Sequence, residues 1–345
     1  GTGSLATGGG TISNATISAG TRTISAASIG NLSMTAGSLV VADDQTVSVS
    51  GNLVLSGGVL DFPGAATGSA DVIDVAGDAT ITASAGSMSS LAALRVAGNW
   101  TSTSAWTPTA GSVELDGVSG TVGGASPTFF DLAVAAGIYT TSAAVAVAND
   151  LSIASGADLI SGAAITVGGD VSLGDGSAGW DLAAFTHDVA GDYASVGGSA
   201  TGAGTVELTG TGSVATGGGS VANLLVSGGV RSAGTTDVVG DLDLTGGVLE
   251  IGDDAVLSVG GDAGLTAGTL QWTTSVAGVE DVLDVAGAAT VTAAFGGGSS
   301  NSRFRVAGNW SSSAAFAPTD GLVELDGGGA TTLGGASPTF NDPTF

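Results

Sequence analysis

The chain has 345 residues, of which 62 are Gly and none is Cys, and its net charge is −26. Zero Cys excludes a disulfide scaffold and thiolate metal sites, while 31 acidic residues against 5 basic ones, all Arg, argue against nucleic acid or an anionic membrane surface as a partner. A hydrophobic content of 43 % is too high for a disordered chain, and no apolar run approaches the roughly 18 residues of a membrane span.

Residues 1–17 read GTGSLATGGGTISNATI. TVSVSGNLVL (46–55), DVIDVAGDATIT (71–82) and LRVAGNW (94–100) follow, each alternating apolar and small polar residues. Such alternation reads as strand. Each run is broken by Gly or Ala before an Asn or Asp. SVELDG (112–117), GGASPTF (123–129), AVAVANDLSI (144–153) and AITVGGDVSL (164–173) continue the series. An acidic loop, GDGSAGWD (174–181), and FTHDVAG (185–191) come next, and TVELTG (205–210) echoes SVELDG about 92 residues on. GTGSVATGGG (210–219) then restarts the opening motif. DVVGDLDL (237–244), GDDA (252–255), VLSVGGDAGL (256–265), DVLDVAG (281–287), FRVAGNW (304–310), LVELDG (322–327) and GGASPTF (334–340) complete the pass, so that 1–136 resembles 210–345 at a period of about 210 residues.

The Asn/Asp positions are Asn31, Asn52, Asp78, Asn99, Asn149, Asp170, Asp192, Asp241, Asp262 and Asn309, with Ala288 in one slot. Most gaps are 21–26 residues, and two, of 50 and 49, read as pairs of coils of about 25 whose corner has drifted. Short strands closed by Gly-Asn or Gly-Asp corners at this spacing predict an all-β fold, an elongated parallel β-solenoid whose coils bury their inward side chains against their neighbours. One continuous solenoid over 1–345, of roughly fifteen coils at about 4.8 Å each, is expected. Tandem β-sandwich domains are the alternative, supported by the 92-residue echo.

GNWTSTSAWTPTAGSVELDG (98–117), GGASPTFFDLAV (123–134) and GDLDLTGGVLEIGDDAVLSV (240–259) resemble the β-strand repeats of large bacterial surface proteins and adhesins, the filamentous-haemagglutinin-like group in broad terms. That resemblance implies a secreted, elongated, non-catalytic β-solenoid at the cell surface or outside the cell.

The stretch at 330–345 is read as taking the repeat position of residues 1–17, which would start and stop the chain in one motif. Open solenoid ends are templates for further strand pairing, and contacts of this kind propagate into filaments. The expected partners are therefore copies of the same chain, stacked head-to-tail through Gly1, Leu5, Ile12, Ile17, Leu333, Phe340 and Phe345, without nucleic acid or membrane insertion. The alternative is an adhesin recognising a glycan or surface, with Trp180 or Trp272 as stacking platforms.

Catalysis is poorly served. His187 is the sole His, and Asp188 beside it is expected on the opposite face of a strand. The carboxylate groupings Asp43–Asp44, Asp71 with Asp74, Asp253–Asp254, and Glu280 with Asp281 and Asp284 suggest a polysaccharide-active enzyme only by likeness of fold. No cofactor is predicted, with Ca2+ as the one candidate. Stacked corners would bring Asp170 near Asp192 and Asp241 near Asp262, where a hard cation would relieve the repulsion. GDGSAGWD and GDDA also resemble oxygen-rich cation loops.

Overall fold

The structure is a computed structural model that describes residues 1–345 except 65–67, 104, 274–278, 314–319, 330, 337–339, 341–342 and 345. It is all-β: the described residues form short strands and turns, with no helix. The chain divides into two compact units, Gly1–Val167 and Gly168–Phe345.

In the first unit every strand stacks in parallel on the strand one coil away. Gly3–Leu5, Thr21–Ile24, Ser38–Val41, Val59–Phe62 and Ser84–Met88 form one column. A second column runs from Leu53–Leu55 through Ala79–Ile81, Trp100–Ser102 and Ser119–Gly124 to Ile138–Thr141. A third joins Thr46–Val49, Asp71–Val75, Ala92–Val96, Ser112–Leu115, Asp131–Val134 and Leu151–Ile153.

The second unit repeats the plan. Thr186–Val189, Thr205–Leu208, Leu224–Val226, Leu242–Leu244, Ala263–Leu265, Ala289–Val291, Trp310–Ser312 and Leu333–Gly335 form one column. Thr236–Val238, Val256–Val259, Asp281–Val285, Ser302–Val306 and Leu322–Leu325 form another. A third runs from Val171–Leu173 to Ala294–Gly297. Parallel pairing between successive coils is the β-solenoid, and it excludes the antiparallel sandwich.

Alternation explains the core. Thr46–Val49 reads exposed, buried, exposed, buried, and Leu242–Leu244 places both leucines inside. Because registers pair like with like, Leu224, Leu242, Ala263, Ala289 and Trp310 lie one above another. Each inward side chain therefore meets its counterpart one coil away, and a continuous apolar column results.

Two turn columns require glycine. In the first unit Gly20, Gly37 and Gly58 have φ of 72°, 93° and 87°. A Cβ on Gly37 would stand 2.2 Å from the Gly20 carbonyl oxygen, and one on Gly58 2.3 Å from that of Gly37. Gly229, Gly247 and Gly268 do the same in the second unit, with φ of 66°, 70° and 79°. Left-handed backbone and closely stacked turns both favour the residue without a Cβ.

The long corner gaps differ from expectation. The strands after Asn99 advance by 22 and then 19 residues, Trp100 pairing with Val122 and Val122 with Thr141. They are not two drifted coils of about 25. Instead the corner ladder passes to a neighbouring column, at Asp131, whose Oδ1 accepts the Asn149 side-chain amide and the Asp150 N–H. In the second unit it resumes similarly at Asn223, whose Oδ1 accepts the Asp241 N–H at 3.0 Å.

Candidate functional site

The geometry of the corner acids decides what they can bind. Asp170 Oδ1 accepts the backbone N–H of Asp192 at 2.8 Å, and Asp192 Oδ1 accepts that of Ser213 at 2.6 Å. Asp241 Oδ1 accepts the Asp262 N–H at 2.8 Å, and Asp262 Oδ1 the Ala288 N–H at 2.7 Å. Asn31, Asn52 and Asp78 do the same in the first unit. Stacking of Asp170 on Asp192 and of Asp241 on Asp262 is thus as expected, but each carboxylate meets the next coil through an amide hydrogen. That bond offsets part of the like-charge repulsion. Asn accepts in the same way through Oδ1, and Asn31, Asn99 and Asn149 also donate their side-chain amides to Asn14, Asp78 and Asp131 of the preceding coil.

The residues expected at an assembly junction lie in the outer coils of their units. The Gly1 carbonyl oxygen accepts a hydrogen bond from Arg22 Nη1 at 2.6 Å. Leu5 pairs with Ile24, Ile12 with Ile29, and Ile17 with Met34. Leu5, Ile12 and Ile17 line one open cleft together with Arg22. In the second unit Leu333 pairs with Trp310 and is 43 % exposed. The Phe340 ring lies 5.7 Å from that of Trp310. Phe345 falls outside the described residues.

His187 is buried, its Nε2 3.2 Å from the Leu182 carbonyl oxygen and its ring 5.0 Å from Trp180. Burial pushes its pKa below the ordinary value. Asp188 is part-exposed on the other side of the strand. This is a packed, neutral imidazole. Trp180 is fully buried and Trp272 is 5 % exposed, so neither ring offers a face to a sugar. Trp100 and Trp310, in equivalent repeats, also pack inside.

GDGSAGWD spends its acids locally. Asp175 Oδ1 accepts from the Ser177 N–H and hydroxyl, at 3.1 and 2.6 Å, and Asp181 Oδ1 from the Ala183 N–H at 2.8 Å. Glu280 is held by Arg303 at 3.0 Å and Arg305 at 2.7 Å, one coil on. Arg305 also binds Glu324 at 2.6 Å, as Arg95 binds Glu114 at 2.6 Å in the first unit. Sequence spacing hid these ion pairs, because they form across a coil.

A further carboxylate cluster was visible in sequence only as fragments. Asp253, Asp254 and Asp281 bring one oxygen each to within 4.8 Å of one another. Asp254 has φ of 57°, and its N–H donates to Asp281 Oδ1 at 2.8 Å. Asp44, 210 residues earlier, has φ of 56°, and its N–H donates to Asp71 Oδ1 at 2.7 Å. The link between Asp254 and Asp281 spans 27 residues, one coil, and only a known coil length would have predicted it.

No family model, curated protein or solved structure matches the chain.

Proposed function

We propose that the chain is a non-catalytic structural subunit or tandem segment of an extracellular bacterial fibre, which lengthens by stacking its outer coils on those of another copy. The observation that carries this reading is the outer coil of the first unit. Thr11–Ile17 pairs along its length with Ala27–Met34. Among the described residues Ala27–Met34 is the one strand it pairs with. Unpaired strand edges of this kind recruit further strands. Asn14 Oδ1 accepts the Asn31 amide at 2.9 Å, so the Asn ladder reaches this edge. A second copy could continue both the backbone pairing and the side-chain ladder. In the second unit Leu333 and Phe340 give an apolar margin beside Trp310. An adhesin reading has less support, because both Trp residues proposed as glycan platforms are buried.

Electron microscopy and sedimentation of the purified chain over a range of concentration test the proposal. Filaments or end-to-end oligomers are expected. Ile12→Lys, at a half-buried edge position, should raise the concentration needed for assembly at least about tenfold with an unchanged circular dichroism spectrum. Monomers at every concentration would refute the fibre reading.

A further inference from the structure

We propose that Asp253, Asp254 and Asp281 form a divalent-cation site of the Ca2+ class, and that Asp43 and Asp71 form a smaller counterpart in the first unit. The site does not depend on the fibre reading.

Three observations carry it. The first is the gathering of three carboxylates within 4.8 Å. Oxygens this close can share one hard cation, and the flexible shell of Ca2+, at about 2.3–2.6 Å, accepts an irregular carboxylate set more readily than the near-octahedral shell of Mg2+ at about 2.0–2.1 Å. The exposed Asp253 and Asp254 leave room for water to complete the shell.

The second is a buried carboxylate oxygen in each unit. Asp281 is fully buried and Asp71 is 1 % exposed. One oxygen of each takes a backbone amide, and the other, Oδ2, has no hydrogen-bond partner among the described residues. Burial of an uncompensated carboxylate is costly. Burial, together with the charges of the paired Asp residues, raises both carboxyls above their ordinary pKa. A cation at the cluster would satisfy the orphan oxygen and neutralise the crowding.

The third is a cradle in the first unit. A Cβ on Gly64 would stand 2.0 Å from Asp71 Oδ2 and 2.8 Å from Asp43 Oδ1, so both oxygens face one small region. The turn is further fixed by Asp44 Oδ1, which accepts the Ser69 N–H at 2.6 Å, and by Asp254 Oδ1, which accepts the Val279 N–H at 3.0 Å. The corner acids differ in kind: Asp170, Asp241 and Asp262 are exposed and bury no carboxylate oxygen.

Calorimetric titration of chelator-treated full-length chain with CaCl2, at fixed ionic strength, tests the assignment. Two Ca2+ ions per chain are expected, with Mg2+ at least about tenfold weaker. Asp281→Asn should bind one ion and Asp71→Asn/Asp281→Asn none, and the rise in melting temperature caused by Ca2+ should vanish with them. Asp253→Asn, at an exposed position, keeps the fold and should weaken one site at least about tenfold. No saturable binding, binding unchanged in all three variants, or a melting response matched by NaCl of equal ionic strength would each overturn the proposal. A preference for Mg2+ would overturn the Ca2+ assignment.

Discussion

Arg231 is fully buried in a chain with only five basic residues. Its guanidinium donates to the carbonyl oxygens of Gly191, Val189 (3.0 Å) and Ala190 (2.9 Å), two coils back. Burial lowers its pKa, and Asp192 and Asp170 oppose that shift. Tyr139 performs the same task in the first unit. Its hydroxyl lies 3.1 Å from the carbonyl oxygens of Val96 and Ala97 and accepts the Gly117 N–H at 2.9 Å. The two positions are 92 residues apart, and each faces a glycine of the preceding coil, Gly120 or Gly212. Both long polar side chains thus cap a run of turn carbonyls, of which Val96 and Val189 also accept the backbone N–H of Asp116 and Thr209. Arg231→Met is expected to cost about 3 kcal/mol, since the carbonyls lose the guanidinium donors. Arg231→Tyr should cost roughly half as much, because the equivalent site already uses that residue. Urea denaturation measures both, and equal losses would show that the charge itself is required.

At the scale of the element, coil geometry is set by what the turns permit. The column Gly20–Gly37–Gly58 combines left-handed backbone with van der Waals contact between coils. Gly8 has φ of 55° and open space around it. Gly8→Ala should therefore cost only the conformational term, about 1 kcal/mol. Gly37→Ala adds a collision with the Gly20 carbonyl and should cost about 3 kcal/mol or more. Thermal unfolding of the two variants separates the contributions, and similar losses would mean that stacked turns yield easily. The Asn/Asp corners work differently. Each presents an acceptor oxygen to a backbone amide of the following coil, a role that Asn and Asp fill alike, while Asn31, Asn99 and Asn149 add a side-chain amide bond to the preceding coil. That equivalence explains why both residues, and Thr or Ser as recipients, recur in sequence.

For the whole molecule, 31 acidic residues make pH the natural lever on stability. Burial raises Asp116, Asp243 and Asp284 above the ordinary carboxyl value of 3.8. Their folded forms bind a proton more readily than the unfolded chain, so the stability they confer grows as pH falls through the raised values and is absent at neutrality. His187 has the opposite sign. Its folded pKa lies below 6.5, so its contribution is complete above that pH and is lost as pH falls through the window beneath it. Between about pH 7.5 and about 5.5, calorimetric melting temperatures of the wild type should fall relative to those of His187→Gln, which keeps a donor for Leu182. Parallel curves would show that His187 is not held neutral by burial.

Fold class was legible in the residues because a strand writes its burial at period two and a solenoid repeats that writing every coil. TVSVSGNLVL and FRVAGNW announce both strand and corner, and Asp170, Asp192, Asp241 and Asp262 were recognisable as stacked corner residues. Contacts between coils away from these corners were not legible. Arg231 above the Val189–Gly191 carbonyls, Asp281 beneath Asp253 and Asp254, and Glu280 between two arginines each join residues 19 or more positions apart. Alternation determines which side of the strand a residue takes. The number of residues in each turn determines which residue stands above it, and turns of variable length leave that register to the folded chain. The sequence therefore determined the inward and outward faces, and the tertiary structure decided the neighbours, because burial is a local preference whereas register is settled only when coils close on one another.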